Sequence, residues 1–258
     1  MGQISRRLDM SGKVVMITGG ASGMGVGITR CFAEAGADVI FTCLKHAENA
    51  ETLACGLRDL GVRAEYLIMD QSSVDACRSG IDAAVSRMKR IDVLVNNSGL
   101  HGGTPTMQLD ETTWDTILNC NLRGSFFCAQ EAAKHMIQQG QGGSIINISS
   151  INSVNPLENA LHYGASKAGI EMHTRCLAKE LGQYNIRVNA IAPGLIESAI
   201  LDRLPGLRER FVERAPLSRP GTPEDIGNIC LFLASDMSSW ITGQIIIADG
   251  GVTLAACY

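Results

Sequence analysis

Short runs of apolar residues, many of them β-branched, alternate with longer amphipathic segments along the 258-residue chain. Most of the short runs are apolar at every position, which is typical of parallel strands that helices cover on both faces. The pattern predicts strands at residues 13–18, 38–43, 63–69, 91–96, 143–149, 186–191 and 244–248. It predicts helices at residues 24–35, 48–60, 74–89, 110–139, 161–182 and 223–234.

The strict alternation of strand and helix predicts an α/β fold. Parallel strands joined by helices need right-handed crossovers, which produce a doubly wound parallel sheet with helices on both faces. No Pro- or Ser-rich linker and no block of like charges divides the chain. We therefore predict a seven-stranded sheet in a single domain that spans residues 1–258.

One segment, residues 195–215, interrupts this rhythm. It follows Pro193 and Gly194 after the sixth predicted strand, and it mixes charged with apolar residues. In an open α/β sheet, ligands bind in a crevice at the carboxyl ends of the strands. An insertion at that edge is a candidate lid over the crevice.

Composition and charge exclude several classes of protein. The chain is 45% hydrophobic and 19% charged, as in ordinary globular proteins, and its net charge of −4 offers no basic surface for nucleic acid. The first residues lack the apolar run of a signal peptide, and no stretch approaches the roughly 20 apolar residues of a membrane span. We expect a cytoplasmic protein that binds neither nucleic acid nor membranes.

The nine cysteines are scattered through predicted helices and strands, and none forms a Cys-x-x-Cys pair. The five histidines show no spacing typical of metal ligands. An odd number of dispersed cysteines fits small buried residues in a reducing compartment better than a disulfide framework. We expect no structural metal.

The first predicted strand runs into a glycine-rich turn at residues 18–25 and then into a helix. Glycines here allow a tight turn and let the backbone approach a pyrophosphate at the N-terminus of the helix. The spacing G-x-x-x-G-x-G differs from the dinucleotide fingerprint G-x-G-x-x-G, so an ordinary glycine-rich turn is the alternative. The position directly after the first strand favours a dinucleotide site.

Tyr163 and Lys167 stand four residues apart at the start of a predicted helix, so their side chains lie on one side. A phenol with a pKa of about 10 is a poor acid–base catalyst at neutral pH, but a neighbouring ammonium lowers that pKa. Ser150, thirteen residues before Tyr163, could donate a hydrogen bond to a reacting oxygen. Each residue alone could be an ordinary surface residue, but together with the turn they indicate proton transfer at a carbonyl or alcohol.

These motifs resemble the short-chain dehydrogenase/reductase family over nearly the whole chain, in the branch of 3-oxoacyl-carrier-protein reductases and glucose dehydrogenases. The landmarks, in the family's order, are the turn at 18–25, Asp70, Asn-Asn-Ser-Gly at 96–99, Asn121, the set Ser150, Tyr163 and Lys167, and Pro193-Gly194. The resemblance implies a Rossmann fold and hydride transfer between a nicotinamide and a carbonyl or secondary alcohol. It also implies a homotetramer that pairs the long helices at 110–139 and 161–182.

The resemblance further implies roles for the residues that match the family's motifs. Tyr163 would be the general acid–base, and Ser150 would orient the substrate oxygen. Lys167 would lower the pKa of Tyr163 and hold the nicotinamide ribose. Asn121 would bind a water that links Lys167 to solvent.

The cofactor cleft that the resemblance implies is built from turn and strand-end residues. They are Thr18, Gly19, Ser22, Gly23, Met24, Gly25, Cys43, Lys45, Asp70, Gln71, Asn97, Gly99, Tyr163, Lys167, Pro193, Ile196 and Ser198. Asp70 would contact adenine, and Ile196 with Ser198 would meet the nicotinamide carboxamide.

The end of the second predicted strand bears on the choice between NAD and NADP. An acidic residue there usually binds the ribose 2′-hydroxyl and repels a 2′-phosphate. Here the position holds Cys43, followed by Lys45 and His46, which favours NADP. Ser22 stands where many NADP-preferring relatives carry a basic residue, so NAD is the alternative.

Polar residues flank the expected substrate pocket and favour a sugar, polyol or keto compound. The candidate substrate contacts are His101, Ser150, Asn152 and Tyr163, with Asn155, Glu158 and Asn159 nearby. The lid adds Arg203, Arg208, Arg210 and Arg214, together with Glu209, Glu213 and the apolar Leu195, Ile196, Leu201 and Leu204. These arginines either meet an anionic group or belong to a solvated helix. The apolar lid residues keep acyl or aromatic ketones as an alternative.

Three other functions match part of the sequence. A catalytically silent dinucleotide-binding sensor or scaffold would keep the glycine turn but tolerate the loss of Ser150, Tyr163 or Lys167, and none is lost. A nucleotide-sugar epimerase or dehydratase would normally carry a larger substrate domain. A Rossmann-type methyltransferase would not be expected to carry a Tyr/Lys pair after the fifth strand. An NAD(P)-dependent oxidoreductase fits all the motifs, and the silent sensor is the main alternative.

Overall fold

The computed structural model describes residues 7–198, 201 and 206–254. Its strands are β1 Val14–Ile17, β2 Asp38–Cys43, β3 Ala64–Ile68, β4 Val93–Asn96, β5 Gly143–Ile148, β6 Ile186–Pro193 and β7 Ile245–Ala248. They form one parallel sheet in the order β3-β2-β1-β4-β5-β6-β7. This is the predicted doubly wound sheet, and its strand order reverses direction between β1 and β4.

The connecting helices lie on both faces of the sheet. They are α1 Met24–Glu34, α2 Ala47–Arg58, α3 Val74–Met88, α4 Glu111–Leu118, α5 Ser125–Gln139, α6 Leu161–Leu181, α7 Leu207–Arg214 and α8 Pro223–Ala234. In the predicted lid, α7 is the one α-helix in the described part, whereas Arg203 and Leu204 lie outside the described residues. The predicted strands and helices are present, and most of their ends shift by one or two residues.

One predicted helix, residues 110–139, is wrong as a continuous α-helix. A π-helical turn at Asn119–Gly124 separates α4 from α5. Gly124 lies so close to Gln71 that a Cβ at this glycine would be 2.0 Å from the Gln71 carbonyl oxygen. A single wide turn leaves almost no trace in hydrophobic periodicity, because it adds one residue to one turn. Such turns frequently occur at functional sites.

Successive strand residues pack into two separate hydrophobic layers, one on each face of the sheet. Ile17 packs with Phe32 and Phe41 on the face that α1, α2 and α8 cover. Its neighbour Met16 packs with Met136 on the opposite face, which α3, α5 and α6 cover. These strands are therefore apolar at almost every position, as the sequence pattern indicated.

The described helices include none with both the length and the apolar character of a membrane-spanning segment.

Candidate active site

A cleft of 2180 Å³ lies at the carboxyl ends of the strands, where the strand order reverses. Most of the predicted site residues line it: Gly19, Ser22, Gly23, Met24, Cys43, Lys45, Asp70, Gln71, Asn97, Gly99, His101, Ser150, Asn152, Tyr163, Lys167, Pro193, Ile196 and Ser198. Thr18, Gly25 and Asn121 are not among the residues that line the cleft. They support it from inside the fold.

Thr18 and Asn97 hold the glycine turn against the loop after β4. The Thr18 hydroxyl oxygen accepts hydrogen bonds from the backbone N–H groups of Asn97 and Ser98, at 3.1 and 3.0 Å. The Asn97 amide donates in return to the carbonyl oxygens of Thr18 and Gly19, at 3.0 and 3.1 Å. Thr18 is fully buried and shapes the turn, and its contact with a cofactor stays a prediction.

The N-terminus of α1 fits an anionic ligand. Gly23 precedes the helix with φ 52°, and no side chain caps the first turn, where the N–H groups of Gly25 and Val26 donate to the carbonyl oxygens of Ser22 and Gly23. A Cβ at Gly23 would meet no atom within 4 Å, so the backbone there is open to the cleft. Free N–H groups at a helix N-terminus bind phosphate well, so the turn fits the pyrophosphate of a dinucleotide.

Gly25 lies behind the turn, where a Cβ would be 2.1 Å from the Gly19 carbonyl oxygen and 2.8 Å from the Asn97 amide nitrogen. We predict that Gly25→Ala weakens NADPH binding by at least about tenfold, because the turn must deform to admit the methyl group. Fluorescence titration measures this affinity, and a melting curve checks that the variant is folded. Gly56→Ala is the matched control, because a Cβ at Gly56 meets no atom within 4 Å. Wild-type affinity in folded Gly25→Ala would contradict this placement of the cofactor.

Ser150, Tyr163 and Lys167 meet where the end of β5 faces the start of α6. Lys167 is only 4% exposed, and its Nζ donates a hydrogen bond of 2.9 Å to the Ile148 carbonyl oxygen. Nζ lies 5.6 Å from the centroid of the Tyr163 ring. The ammonium can donate three hydrogen bonds, so it can also bind the hydroxyl groups of a ribose beside Tyr163.

Burial has the largest effect on the pKa values of Tyr163 and Lys167. It raises the pKa of Tyr163, and a hydrogen bond with Ser150 offsets part of that increase. The expected lowering of the Tyr163 pKa by Lys167 is therefore wrong for this structure. Burial instead lowers the pKa of Lys167 itself to about 8.

Ser150 is oriented by Asn152. The Ser150 hydroxyl donates to the Asn152 side-chain oxygen at 3.2 Å and accepts from the Asn152 backbone N–H at 3.1 Å. On the other side of the tyrosine, the His101 and Tyr163 rings lie 4.6 Å apart, centroid to centroid. Partial burial lowers the pKa of His101, and the charges of His162 and Lys167 lower it further. A neutral imidazole can exchange hydrogen bonds with a substrate hydroxyl.

Asn121 lies in the π-helical turn and is fully buried. Its amide donates to the Leu100 carbonyl oxygen at 2.9 Å and to the Ser166 hydroxyl at 3.2 Å, and its oxygen accepts from the Leu100 N–H at 2.7 Å. Through these bonds Asn121 fixes the loop after β4 close to Lys167, and its contact with a water stays a prediction.

Gln71 lines the cleft and also joins two loops. It is 4% exposed, and its amide donates to the carbonyl oxygens of Ser98 and Cys120, each at 3.1 Å. The side chain thus joins the loop after β4 to the π-helical turn. Asp70 precedes it at the cleft and accepts hydrogen bonds from the Ser72 N–H and hydroxyl.

The structure adds cleft residues that sequence analysis missed. One side of α4 and the start of the π-helical turn line the cleft with Thr112, Asp115, Thr116 and Asn119. Their spacing of i, i+3, i+4 and i+7 defines one helix face, and this polar periodicity could have revealed them. Buried Glu171, which accepts hydrogen bonds from the hydroxyls of Ser149 and Ser153, had no comparable signal.

The end of β2 carries no carboxylate into the cleft. Cys43 is buried at the strand end, whereas Lys45 is exposed along the cleft wall. The His46 ring is turned toward Glu48, with 3.2 Å between Nδ1 and the carboxylate oxygen.

Outside the cleft, Asp82, Glu131 and His135 bring their ligand atoms within 4.8 Å of one another on the surface between α3 and α5. Spacing along the sequence did not reveal this group. His135 lies 2.7 Å from Asp82, and Lys134 lies 2.7 Å from Glu131. The Lys134 ammonium thus pairs with the Glu131 carboxylate.

Comparison with known proteins assigns the family. Residues 19–253 match the family described as enoyl-(acyl carrier protein) reductase. The chain is 40% identical to a 3-oxoacyl-[acyl-carrier-protein] reductase of Thermotoga maritima, over 96% of this chain and all of the relative. It is 37% identical to a 2-dehydro-3-deoxy-D-gluconate 5-dehydrogenase of Escherichia coli, over 94% of this chain and 96% of that protein.

A solved structure supports the same relationship. It is a gluconate 5-dehydrogenase from Burkholderia cenocepacia in complex with NADP and tartrate, 32% identical to this chain with a TM-score of 0.92. The match covers 98% of this chain and all of the other. The chain therefore belongs to the short-chain dehydrogenase/reductase family and is an NAD(P)-dependent oxidoreductase that acts on CH–OH groups or the corresponding carbonyls.

Proposed function

We propose that the protein interconverts a small polar ketone and its secondary alcohol, with NADP as the preferred cofactor. The observation that carries this proposal is the meeting of Ser150, Tyr163 and Lys167 in one cleft, next to a helix N-terminus suited to phosphate. Residues at the cofactor end of the cleft hold a dinucleotide, and those at the other end hold the substrate.

In this proposal, Tyr163 donates its phenolic proton to the carbonyl oxygen in reduction and accepts the alcohol proton in oxidation. The nicotinamide, when bound, supplies or accepts the hydride. The raised pKa of Tyr163 keeps the phenol protonated at neutral pH, which suits the donor role. Ser150 binds the substrate oxygen, and Lys167 replaces the lost proton or neutralises the phenolate.

A polar substrate is favoured by the walls of the cleft. The helix face around Thr112 and Thr116 is polar, and His101 and Asn152 flank Tyr163. The names of two related proteins give gluconate-type sugar acids as substrates, and polar cleft walls suit substrates of this kind. The third is named for an acyl substrate, so a reductase of acyl or aromatic ketones is the second candidate.

The test is a screen with NADPH and a panel of sugars, polyols, keto acids and acyl or aromatic ketones, followed through the absorbance of the reduced nicotinamide. Turnover of the sugar and keto compounds above the acyl and aromatic ketones is the expected result. The reverse order would select the second candidate. Tight NADPH binding without turnover of any compound would favour the catalytically silent sensor.

We predict that NADPH binds more tightly than NADH, because Cys43 leaves the 2′-phosphate unopposed and Lys45 can approach it. Cys43→Asp should reverse this preference by at least about tenfold, since a carboxylate repels the phosphate and binds the ribose hydroxyls. Titration of the wild-type protein and of Cys43→Asp with NADPH and with NADH measures the ratio of the two affinities. Cys43→Ser is the uncharged control. A ratio that Cys43→Asp leaves unchanged would place the 2′-position elsewhere.

We propose in addition that the chain acts as one domain, with residues 195–215 as its lid, in a cytoplasmic homotetramer. The continuous sheet supports the single domain, and α7 beside the cleft supports the lid. Exposed apolar residues on the long helix α6 and on edge strand β7 support subunit contacts, since Met172 is 58% and Ile247 is 54% exposed. The eight cysteines in the described part of the chain are free thiols, as a reducing compartment favours.

A further inference from the structure

The lid helix α7 turns one distinct face toward the cleft. The residues of α7 that line the cleft are Leu207, Arg210, Phe211 and Arg214. Their spacing of i, i+3, i+4 and i+7 defines a single side of the helix. The aromatic ring of Phe211 packs at Gly194, where a Cβ would lie 3.3 Å from it, and so holds α7 at the end of β6.

The charges on this helix are segregated between its two sides. Glu209 and Glu213 are absent from the cleft wall, and so is Arg208, whose guanidinium is bound to the Glu197 carboxylate. Of the charged residues of α7, only Arg210 and Arg214 lie on the cleft side. Arg210 and Arg214 are exposed, and no acidic residue of α7 shares their side of the helix at the cleft.

Neither cleft-facing arginine has an acidic partner within the described part of the chain. Arg210 donates its Nε–H to the Gly206 carbonyl oxygen at 3.1 Å, which orients the guanidinium and leaves its terminal nitrogens available. Two guanidinium groups one helical turn apart can both bind one carboxylate, and such charge-assisted bonds are stronger than neutral ones.

The arginines lie far from the expected position of the cofactor's 2′-phosphate. That phosphate would be at the end of β2, whereas α7 follows β6, and three strands separate β2 from β6. Four strand spacings amount to about 19 Å across the sheet. Strand β5, which ends beside Ser150, lies between them and next to β6. The arginines therefore belong to the substrate end of the cleft.

We infer that the substrate carries a carboxylate, which Arg210 and Arg214 bind while the reacting carbon lies at Ser150 and Tyr163. This inference rests on the proposed function and specifies its substrate class as hydroxy and keto acids. A carboxylate suits the site better than a phosphate dianion, because the acidic Asp115 and Glu158 also line the cleft.

The test compares substrates that differ only in charge. The rates of reduction of 4-oxopentanoate and acetoacetate are measured against those of their methyl esters, with saturating NADPH. The wild-type protein should prefer each acid over its ester. In the double variant Arg210→Met and Arg214→Met, the ratio of kcat/KM for acid to that for ester should fall at least about tenfold. Arg30→Met should keep the wild-type ratio, because Arg30 is exposed and does not line the cleft.

The outcomes separate this inference from the proposed function. Wild-type preference for the esters, or a double variant that slows acids and esters alike, would overturn the carboxylate site. The second of these results would instead indicate lid closure onto Asp115 or Glu158. Failure of every carbonyl compound, charged or neutral, would overturn the proposed function itself.

Discussion

Tyr163→Phe should lower turnover by roughly a thousandfold, because it removes the proton donor and leaves the cleft otherwise unchanged. The phenyl ring keeps its place beside His101, at 4.6 Å between centroids, and beside Lys167, at 5.6 Å from Nζ to the ring centroid. Cofactor affinity should therefore stay within about twofold of the wild-type value. Steady-state rates with the best substrate from the screen and NADPH titration give the two numbers.

Tyr184→Phe is the matched control for this experiment. Tyr184 is 43% exposed in the short helical turn after α6, remote from the residues that line the cleft. Its loss of a hydroxyl should change neither turnover nor affinity. If Tyr163→Phe keeps a substantial part of the wild-type turnover, another group transfers the proton, and His101 would be the next residue to substitute.

Lys167 should make the folded protein gain stability as the pH rises through the alkaline range. Burial lowers the pKa of Lys167 from 10.5 to about 8, so between these values the unfolded chain binds more protons than the folded one. The free energy of unfolding then increases with pH, since protonation favours the unfolded state. From pH 8 to pH 10 this single group should contribute about 2 kcal/mol.

Urea unfolding of the wild-type protein and of Lys167→Met at several pH values measures this contribution. Other groups titrate in the same range, so the quantity of interest is the difference between the two proteins. Between pH 8 and pH 10, the free energy of unfolding of the wild-type protein should rise by about 2 kcal/mol relative to that of Lys167→Met. Lys167→Met should also lower turnover by about a hundredfold or more, because Tyr163 loses its charged neighbour. A difference that is constant with pH would mean that Lys167 keeps an ordinary pKa in the folded protein.

Much of the architecture was predictable because it depends on short-range patterns. Parallel strands buried on both faces are apolar at most positions, as in Val14–Ile17, and short apolar runs of this kind located the seven strands. The glycine turn and the four-residue spacing of Tyr163 and Lys167 could also be read from the chain. Both are local arrangements in which sequence distance determines spatial distance.

Effects that depend on the surroundings of a side chain could not be predicted in this way. The ammonium of Lys167, four residues away, predicted a lowered pKa for Tyr163, but burial raises that pKa and outweighs the hydrogen bond with Ser150. Asn121 matched a catalytic motif and Gln71 a cofactor-site position, and the amide nitrogen of each donates to backbone carbonyl groups distant in the chain. The partners of a buried amide depend on how loops pack, and no short pattern records that packing.

By itself, the sequence determined the order of strands and helices, the family, and the set of residues available for proton transfer, since each follows from local periodicity or from motif spacing. Only the tertiary structure decided which of those residues face the cleft. It placed Thr18 and Gly25 behind the glycine turn, formed the π-helical turn around Asn121, and turned Arg210 and Arg214 toward the cleft. The physical reason is that burial, charge and hydrogen bonding at one atom are set by neighbours that are distant in sequence.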